Sequence, residues 1–513
     1  MRSFFAGALA LFAILYLLAE STLQREADDG VIRIRWATDP NPARNLQVEI
    51  FGKLQVRLKD EDVLDWPAFR KALAGSAEQT NGAVQRLRRL LGPQVTAAAD
   101  RRMVLRAVNE LLEERDLFAE GSLPGLEVSG DARVLLEKPP EDRTKVEVVA
   151  LNRRILEAAL PGLIRKAVRI EASVESSARE KLTVQCATGV GPDVIDVYSQ
   201  AQMITYADFG ILLDLTPYAL KMGFAPENTY PAIKGTLIAD GRQVRFPCNV
   251  WANCVIYNRE VFDDHGLAWP DPNWTFDDFV SAGRRIVSRP GRSGTRHIGV
   301  ANYSQNWMLN DLLVGCGGWY FTRDGLRCRL GEPEGVDAMR RYHDLMHVHK
   351  ILPTPAEAQA MSSQGGWGTG GINWFSNGRA AMIFIGRWYL CQLPNYPDLH
   401  GKLGVTRLPR IGGRPSVGVC DTRAAGVNIT SPNRDAALKF IQYLATPDYG
   451  QVIVNDGDSL PPNPALARRG EDLVNSVAPD PAFHQPFIDA LKHARPRVLS
   501  PFIDGAQVDR WVT

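Results

Sequence analysis

The segment GPDVIDVYSQAQMITYADFGILLDLTPY, at residues 191–218, constrains the fold more than any other part of the sequence. A Gly–Pro turn precedes the apolar run Val194–Val197, a helix-like stretch follows, and Gly210 separates that stretch from a second apolar run. This order predicts one strand–helix unit of an α/β sheet. No nucleophile, metal cluster or phosphate loop lies nearby in the sequence, so catalysis does not explain the unit.

Strand and helix patterns alternate over much of the chain. VIRIRWATDP at residues 31–40 predicts a strand that enters a loop, and AVRIEASV at 167–174 predicts another strand. RQVRFPCNVWANCVIYN at 242–258 predicts two strands or one long bent strand, and TFDDFVSAGRRIVS predicts a helix with Thr275 as its N-cap. Alternating elements of this length predict an α/β fold.

Residues 54–163 interrupt the alternation with charged, helix-forming sequence. GAVQRLRRLLGP and ADRRMVLRAVNELLEERDLF each place apolar residues on one helical face, and the first stops at Gly92-Pro93. Thr144 and Glu147 form a capping-box pattern. We interpret 54–163 as a helical insertion, which is either a docking surface for another protein or a passive elaboration.

The N-terminus differs from the rest of the chain. MRSFFAGALALFAILYLLAES, residues 1–21, has one early arginine and then an unbroken apolar run from Phe4 to Ala19. That run is shorter than the ~20 residues of a spanning helix and predicts either a cleaved signal peptide or an uncleaved membrane anchor. Both place the remainder outside the cytoplasmic membrane, and the absence of cysteine before Cys186 excludes a lipid-anchored N-terminal cysteine.

Composition excludes some classes of protein. The chain has 513 residues, enough for two to four domains, and its formal net charge of +1 gives no basic surface for nucleic acid. Its seven cysteines leave at least one unpaired, and Cys316 and Cys328, on either side of a predicted hairpin, are the best candidates for a disulfide.

Catalytic signatures are weak. The sequence contains no GxSxG, GxxxxGK[ST], HExxH or strand-linked GxGxxG motif. His343 and His347, four residues apart with His349 close by, could hold a metal, but a solvated helix face explains them better. Cys420 with its neighbouring acid could suggest a nucleophile, although no histidine lies near it in the sequence.

Aromatic residues beside glycines and polar residues are the most abundant feature. The segments are RWATDPN, FPCNVWANC, YSQNWMLND, GCGGWYF, SQGGWGTGGINWF and IGRWYLC. Sugars present flat C–H faces, which aromatic rings cover, and rims of hydroxyls, which Asp, Asn, Gln and Arg bind. Any single tryptophan can be a core residue, but the set predicts a ligand cleft.

Together these segments resemble the extracellular solute-binding proteins (family 1, sugar-binding type) of ABC importers. The resemblance rests on residues 191–218, the segment from FPCNVWANC to GRRI, NWMLNDLLVGCGGWY and NGRAAMIFIGRWYL, followed by four shorter segments in the family's order. It covers roughly residues 31–51 and 168–504, so the insertion splits the family's first helix. The chain ends at Thr513, before the further C-terminal helix that the family usually has.

The resemblance implies an α/β, two-lobed periplasmic-binding-protein fold (type II) that closes on its ligand by hinge motion. Lobe 1 would comprise 31–258 and 409–455, including the insertion, and lobe 2 would comprise 259–408 and 456–513. It implies a monomeric, non-enzymatic protein without a cofactor, at the periplasmic or extracellular face of the cytoplasmic membrane, either secreted or N-terminally anchored. Its partners would be a carbohydrate ligand and an ABC permease, with no nucleic acid.

The resemblance also implies ligand contacts at the strand ends of both lobes, with Trp388 as the best stacking platform and Arg387 as a contact to a hydroxyl or an acidic sugar. The implied contacts are Asp39, Asn41, Tyr198, Gln200, Trp251, Asn253, Trp307, Gly386, Arg387, Trp388 and Asp421.

Two other functions remain open. A membrane-tethered sensor or adaptor would retain its N-terminus and present an apolar patch on the insertion. A metal-dependent hydrolase would bring a metal or a carboxylate pair into the cleft, for example at the His343–His347 helix face.

Overall fold

The computed structural model describes residues 31–74, 82–96, 98, 100–114, 116–117, 131–176, 179–301, 305–361, 370–500, 502–503 and 507–508. These residues divide into two compact units. The first unit holds Asn45–Ser173 together with the start of strand β1 (Val31–Thr38), up to Ile34. The second unit holds Arg35–Arg44 and Val174–Thr513.

The first unit is built from helices around its own apolar core. Trp66, Phe69, Val108 and Leu151 are among the side chains buried in that core. The helices of residues 43–159 are α1 (Ala43–Val56), α2 (Trp66–Ala74), α3 (Gly82–Thr96), α4 (Arg101–Glu114), α5 (Asp131–Glu137) and α6 (Lys145–Ala159).

Local sequence signals explain several helix ends in this unit. The predicted capping box is present at α6, where the Glu147 N–H donates to Thr144 Oγ1 and the Thr144 N–H donates to the Glu147 carboxylate. Gly92 has a φ of 74° and a ψ of 165°, which are not helical, so the helix that begins at Gly82 is interrupted at the predicted stop, and a second short helical segment of α3 runs on to Thr96.

Two main sheets lie mostly in the second unit. The first has the order β2-β1-β3-β11-β6, in which β1 and β3 are parallel and β11 is antiparallel to both β3 and β6. The second has the order β10-β7-β9-β8. The strands after β1 are β2 (Arg169–Ser176), β3 (Val194–Val197), β4 (Ile238–Ala239), β5 (Arg242–Gln243), β6 (Phe246–Ala252), β7 (Cys254–Asn258), β8 (Ile298–Ala301), β9 (Ala380–Ile385), β10 (Leu403–Thr406) and β11 (Cys420–Val427).

Helices connect these strands, which confirms the predicted α/β class. The unit's helices are α7 (Arg179–Ala187), α8 (Gln200–Asp208), α9 (Thr216–Met222), α10 (Arg259–Asp264), α11 (Phe276–Ser288), α12 (Gln305–Gly315), α13 (Pro333–His347), α14 (Pro355–Met361), α15 (Gly371–Ser376), α16 (Arg434–Leu444), α17 (Pro447–Asp456) and α18 (Pro481–His493).

The chain first passes from one sheet to the other at Asn253. This residue lies between β6, in the first sheet, and β7, in the second. The segment 242–258 therefore forms separate strands, and by the sheets the crossing comes five residues before the lobe boundary that we drew at 258. The lobe boundaries themselves, including the one at 258, stay a prediction.

Two other sequence expectations concern cysteines and the N-terminus. The predicted Cys316–Cys328 disulfide is wrong: all seven cysteines are free, although Phe321 and Cys328 do pair across the predicted hairpin. Cys316 is buried, whereas Cys328 is exposed.

The predicted signal peptide or anchor at 1–21 lies outside the described residues. Among the helices that are described, none is long and apolar enough to cross a membrane.

Candidate functional site

Three tryptophans of the second unit pack together. Trp251 lies near the end of β6, Trp307 lies on α12 and Trp388 lies just after β9. The Trp251 and Trp307 rings are stacked, with centroids 4.8 Å apart and planes at 14°, and Trp307 meets Trp388 edge to face at 5.9 Å. All three side chains are half-buried, so the cluster presents aromatic surface between the sheets.

Gly386 allows Trp388 to occupy this position. Its φ of −80° and ψ of 171° suit any residue, so backbone conformation does not require glycine here. A Cβ at this position would, however, lie 2.8 Å from Trp388 Cδ1 and 3.5 Å from Trp251 Cβ. Close packing of the aromatic cluster therefore excludes a larger residue.

A buried amide and carboxyl pair lies beside the cluster. Asp311 is four residues after Trp307 on α12, so the two side chains share a helix face. Its carboxyl group accepts hydrogen bonds from Asn253 Nδ2 at 2.9 Å and from the Val419 N–H at 2.9 Å. Burial raises the pKa of Asp311 to about 7, so this group can carry a proton near neutral pH.

Asp421 lies opposite Trp251 across the β6–β11 pair. Burial raises the pKa of its carboxyl group, against the opposing positive charge of Arg245, whose Nη2 is 3.5 Å away. The backbone N–H of Gln200, at the start of α8, also hydrogen-bonds to this carboxyl group. Asp421 therefore links the start of α8, just after β3, to the strand pair that carries Trp251.

A network of buried charges lies two residues farther along the same strands. Arg423 on β11 pairs with Asp196 at 2.7 Å, and Arg44 pairs with Asp458 at 2.9 Å and with Asp39 at 3.0 Å. Burial opposes ionisation of Asp39, but the positive charges of Arg423 and Arg44 lower its pKa. Asp39 is therefore ionised, and its position is fixed by its neighbours.

Three predicted site residues keep a buried amide atom without a hydrogen-bond partner among the described residues. These atoms are Asn41 Nδ2, Gln200 Oε1 and Asn253 Oδ1. A buried polar atom without a partner costs about 1–3 kcal/mol, so hydroxyl groups of a ligand that bind to these atoms would recover that free energy. Tyr198, which is half-buried, follows β3, and its N–H donates to Gln202 Oε1 at 2.8 Å.

Arg387 is different from the other predicted contacts. Its side chain is only 1% exposed, and its guanidinium donates to the carbonyls of Ser459 at 2.7 Å and Leu473 at 2.7 Å and to His484 Nδ1 at 3.1 Å. Burial lowers the pKa of Arg387 to about 10. Its donors serve the protein, so we interpret Arg387 as a structural residue and remove it from the candidate site.

Sequence reasoning missed Asp311, Arg423 and Asp458. Asp311 had a signal, because its spacing of four from Trp307 places it on the ligand-facing side of a helix. The other two lie 35 residues apart in sequence, and only the tertiary fold brings them together. Trp36, which we grouped with the ligand tryptophans, is a core residue: it is 0% exposed and donates to Asp196 at 2.7 Å.

The arrangement suits a ligand with flat apolar faces and many hydroxyl groups. Aromatic rings supply the apolar surface, while amides and carboxyl groups around them supply hydrogen bonds.

The His343–His347 face of α13, which we considered for a hydrolase, is not part of this group. His343 and His347 lie on the exposed side of that helix.

Curated proteins similar to this chain are sugar-binding proteins. The arabinooligosaccharide-binding protein of Halalkalibacterium halodurans is 27% identical over 207 residues, which is 40% of this chain and 44% of that protein. The diacetylchitobiose-binding protein DasA of Streptomyces coelicolor is 22% identical over 325 residues, which is 61% of this chain and 70% of that protein. The chain thus spans less than half of the first relative.

Solved structures show the same fold. An ABC substrate-binding protein from Listeria monocytogenes in complex with cycloalternan superposes with a TM-score of 0.56 at 21% identity, covering 67% of this chain and 84% of that one. Maltose-bound MalE3 of T. maritima gives a TM-score of 0.52 at 20% identity, covering 70% and 88%. These similarities confirm the predicted two-lobed binding-protein fold.

The family model described as "Bacterial extracellular solute-binding protein" matches residues 164–451. The matched range contains β3, β6, β9 and β11, the strands that position the tryptophans and Asp421, and it begins after the helical insertion. Because this match covers more than half of the sequence, the chain belongs to the bacterial extracellular solute-binding protein family.

Proposed function

We propose that the chain is the extracytoplasmic substrate-binding component of an ABC importer and that it binds an oligosaccharide between the two sheets of its second unit. The observation that carries this proposal is the cluster of Trp251, Trp307 and Trp388, in which one ring comes from a strand of the first sheet and two come from segments that follow strands β8 and β9 of the second. A ligand stacked on these rings would hold the two sheets together.

The polar residues around the cluster support a sugar ligand. Asn41, Gln200 and Asn253 each offer a buried amide atom, and Asp39 and Asp421 offer carboxylate oxygens. Named relatives bind arabinooligosaccharide and diacetylchitobiose, and solved neighbours hold maltose and cycloalternan. The proposed ligand contacts are Asp39, Asn41, Tyr198, Gln200, Trp251, Asn253, Trp307, Gly386, Trp388 and Asp421.

In this proposal the protein binds and delivers a sugar and catalyses no reaction. We propose that the monomer carries the sugar, at the outer face of the cytoplasmic membrane, to an ABC permease whose ATPase drives import. The family and the similar structures are those of binding proteins, which supports a non-enzymatic role.

Isothermal titration calorimetry of the purified protein with maltotetraose, arabinotriose, diacetylchitobiose, lactose and cycloalternan tests the proposal. We expect at least one to bind, and we expect Trp388→Ala to raise its Kd about tenfold to hundredfold, because loss of a stacked aromatic face removes about 1.5–3 kcal/mol.

The control is Trp269→Ala, which removes a tryptophan that is 49% exposed and stacks under Arg259 instead of in the cluster. This variant should bind as the wild type does. Equal losses in both variants, or no change in Trp388→Ala, would contradict the proposed site. Failure of every saccharide to bind would contradict the proposed function.

A further inference from the structure

A second group of polar side chains lies at the other end of the second sheet. α10 ends at Asp264, His265 follows it, and His297 immediately precedes β8. The first residue of β8 pairs with Ala380 at the start of β9, whereas Gly386 follows the end of β9. At about 3.3 Å per residue, β9 separates the group from the tryptophan cluster by ~17 Å.

The geometry of this group matches that of metal ligands. Asp264, His265 and His297 each offer one ligand atom, and these atoms lie within 4.8 Å of one another. His265 Nε2 and His297 Nδ1 are 3.1 Å apart. Two imidazole nitrogens on one tetrahedral zinc ion, each about 2.0–2.1 Å from the metal, would be about 3.3 Å apart. A small opening of the pair would therefore admit the ion.

The burial of these residues and the groups around them favour binding of a metal ion. His265 is 3% exposed, and its Nε2 shares a hydrogen bond with His297 Nδ1 that a common metal ion would replace. Each imidazole ring can offer one nitrogen lone pair to a metal ion when it is neutral. Asp264 is held by Ser293, whose N–H and hydroxyl donate to the carboxylate at 2.7 and 2.8 Å.

The local backbone also leaves room for the carboxylate. A Cβ on Gly291 would lie 1.7 Å from Asp264 Oδ2, so only glycine fits against it. Arg285 and Arg289 lie close enough to lower the pKa of His265 and therefore weaken the binding of any cation. The negative charge of Asp264 offsets part of that repulsion. The expected affinity is accordingly moderate.

We propose that Asp264, His265 and His297 bind a divalent transition-metal ion, with zinc as the best fit, at a site separate from the ligand cleft. Two imidazoles and one carboxylate suit zinc, nickel or copper, while magnesium and calcium prefer oxygen ligands throughout. Three protein ligands leave one position for water. The metal would tie the end of α10 to the segment before β8 and so stabilise this edge of the sheet.

The test is calorimetric titration of the EDTA-treated full-length protein with Zn²⁺, together with visible absorption after Co²⁺ addition, which reports tetrahedral coordination. The variants are His297→Gln and Asp264→Asn. The matched control is His343→Ala/His347→Ala, since these exposed rings on α13 have centroids 4.7 Å apart and offer a competing surface pair. Melting temperatures in EDTA show whether each variant remains folded.

We expect one Zn²⁺ per chain in the wild type and in the control, and a loss of affinity of more than about tenfold in His297→Gln and Asp264→Asn. The Co²⁺ absorption should disappear with the zinc site, while saccharide binding remains. Zinc binding that persists in His297→Gln and is lost in the control would assign the metal to the surface pair and overturn the proposal. Absence of zinc binding in the wild type would overturn it as well.

Discussion

Replacing Asp311 with asparagine should make the protein more stable above neutral pH. The side chain is 3% exposed, and burial raises its pKa to about 7 from a usual value of 3.8. The folded state therefore holds this proton more tightly than the unfolded state does. The stability that the protonated group contributes is fully present below pH 3.8, and it is lost as the pH rises toward 7.

The pKa shift sets the size of the effect. One pKa unit corresponds to about 1.4 kcal/mol, so the shift amounts to about 4 kcal/mol in total, of which about 2–3 kcal/mol is lost between pH 5 and pH 8. Asparagine does not ionise and avoids that loss. The new amide can keep both hydrogen bonds if the Asn253 amide turns over, because Asn253 Oδ1 has no partner among the described residues and can accept one.

Urea unfolding followed by tryptophan fluorescence at pH 5 and pH 8 measures this difference. The wild type should lose about 2–3 kcal/mol more unfolding free energy than Asp311→Asn between the two pH values. Asp398→Asn, at an exposed position, should behave as the wild type does. A parallel loss of stability in the wild type and in Asp311→Asn would show that the carboxyl group is ionised throughout this range, and the assigned burial effect would then be wrong.

Two further substitutions separate binding from structure. Gly386→Ala should raise the saccharide Kd about fivefold to tenfold with little change in melting temperature. The new Cβ would lie 2.8 Å from Trp388 Cδ1 and would displace the ring at a cost of about 1 kcal/mol. An unchanged Kd in calorimetry would contradict this packing argument. Arg387→Lys should destabilise the protein by about 2–4 kcal/mol in urea while the saccharide Kd stays within about threefold, because the carbonyls of Ser459 and Leu473 lose buried donors. A large rise in Kd without destabilisation would return Arg387 to the site.

Local signals in the sequence predicted much of the fold. The capping pattern at Thr144 and Glu147 forms a capping box in the structure, and Thr275 with Asp278 does the same at the start of α11. The same kind of local pattern identified β3 and the helix after it, because a short, mainly apolar run between a Gly–Pro turn and an N-cap serine has few other structures.

Local sequence patterns could not predict which distant residues pack together. Arg387 stands next to a proposed ligand tryptophan in sequence, yet successive side chains point to different sides of the chain, and its side chain points into the core. The three candidate metal ligands likewise come from a helix end and a distant loop, so no spacing rule links His265 to His297. The pair that spacing did suggest, His343 and His347, lies on an exposed helix face.

The position of the helical unit in the chain has a consequence for biosynthesis. Thr38, at the end of β1, is made 158 residues before its hydrogen-bond partner Asp196 and 385 residues before Arg423. At about 5–20 residues per second, β1 waits roughly 20–80 s for the last of these strands, while the helices from α2 to α6 already have the neighbours that form their own core. We expect the nascent chain to carry a folded helical unit and an unpaired β1 until β2 and β3, the neighbours of β1 in the sheet, have been made, and during that time β1 is the segment most exposed to aggregation.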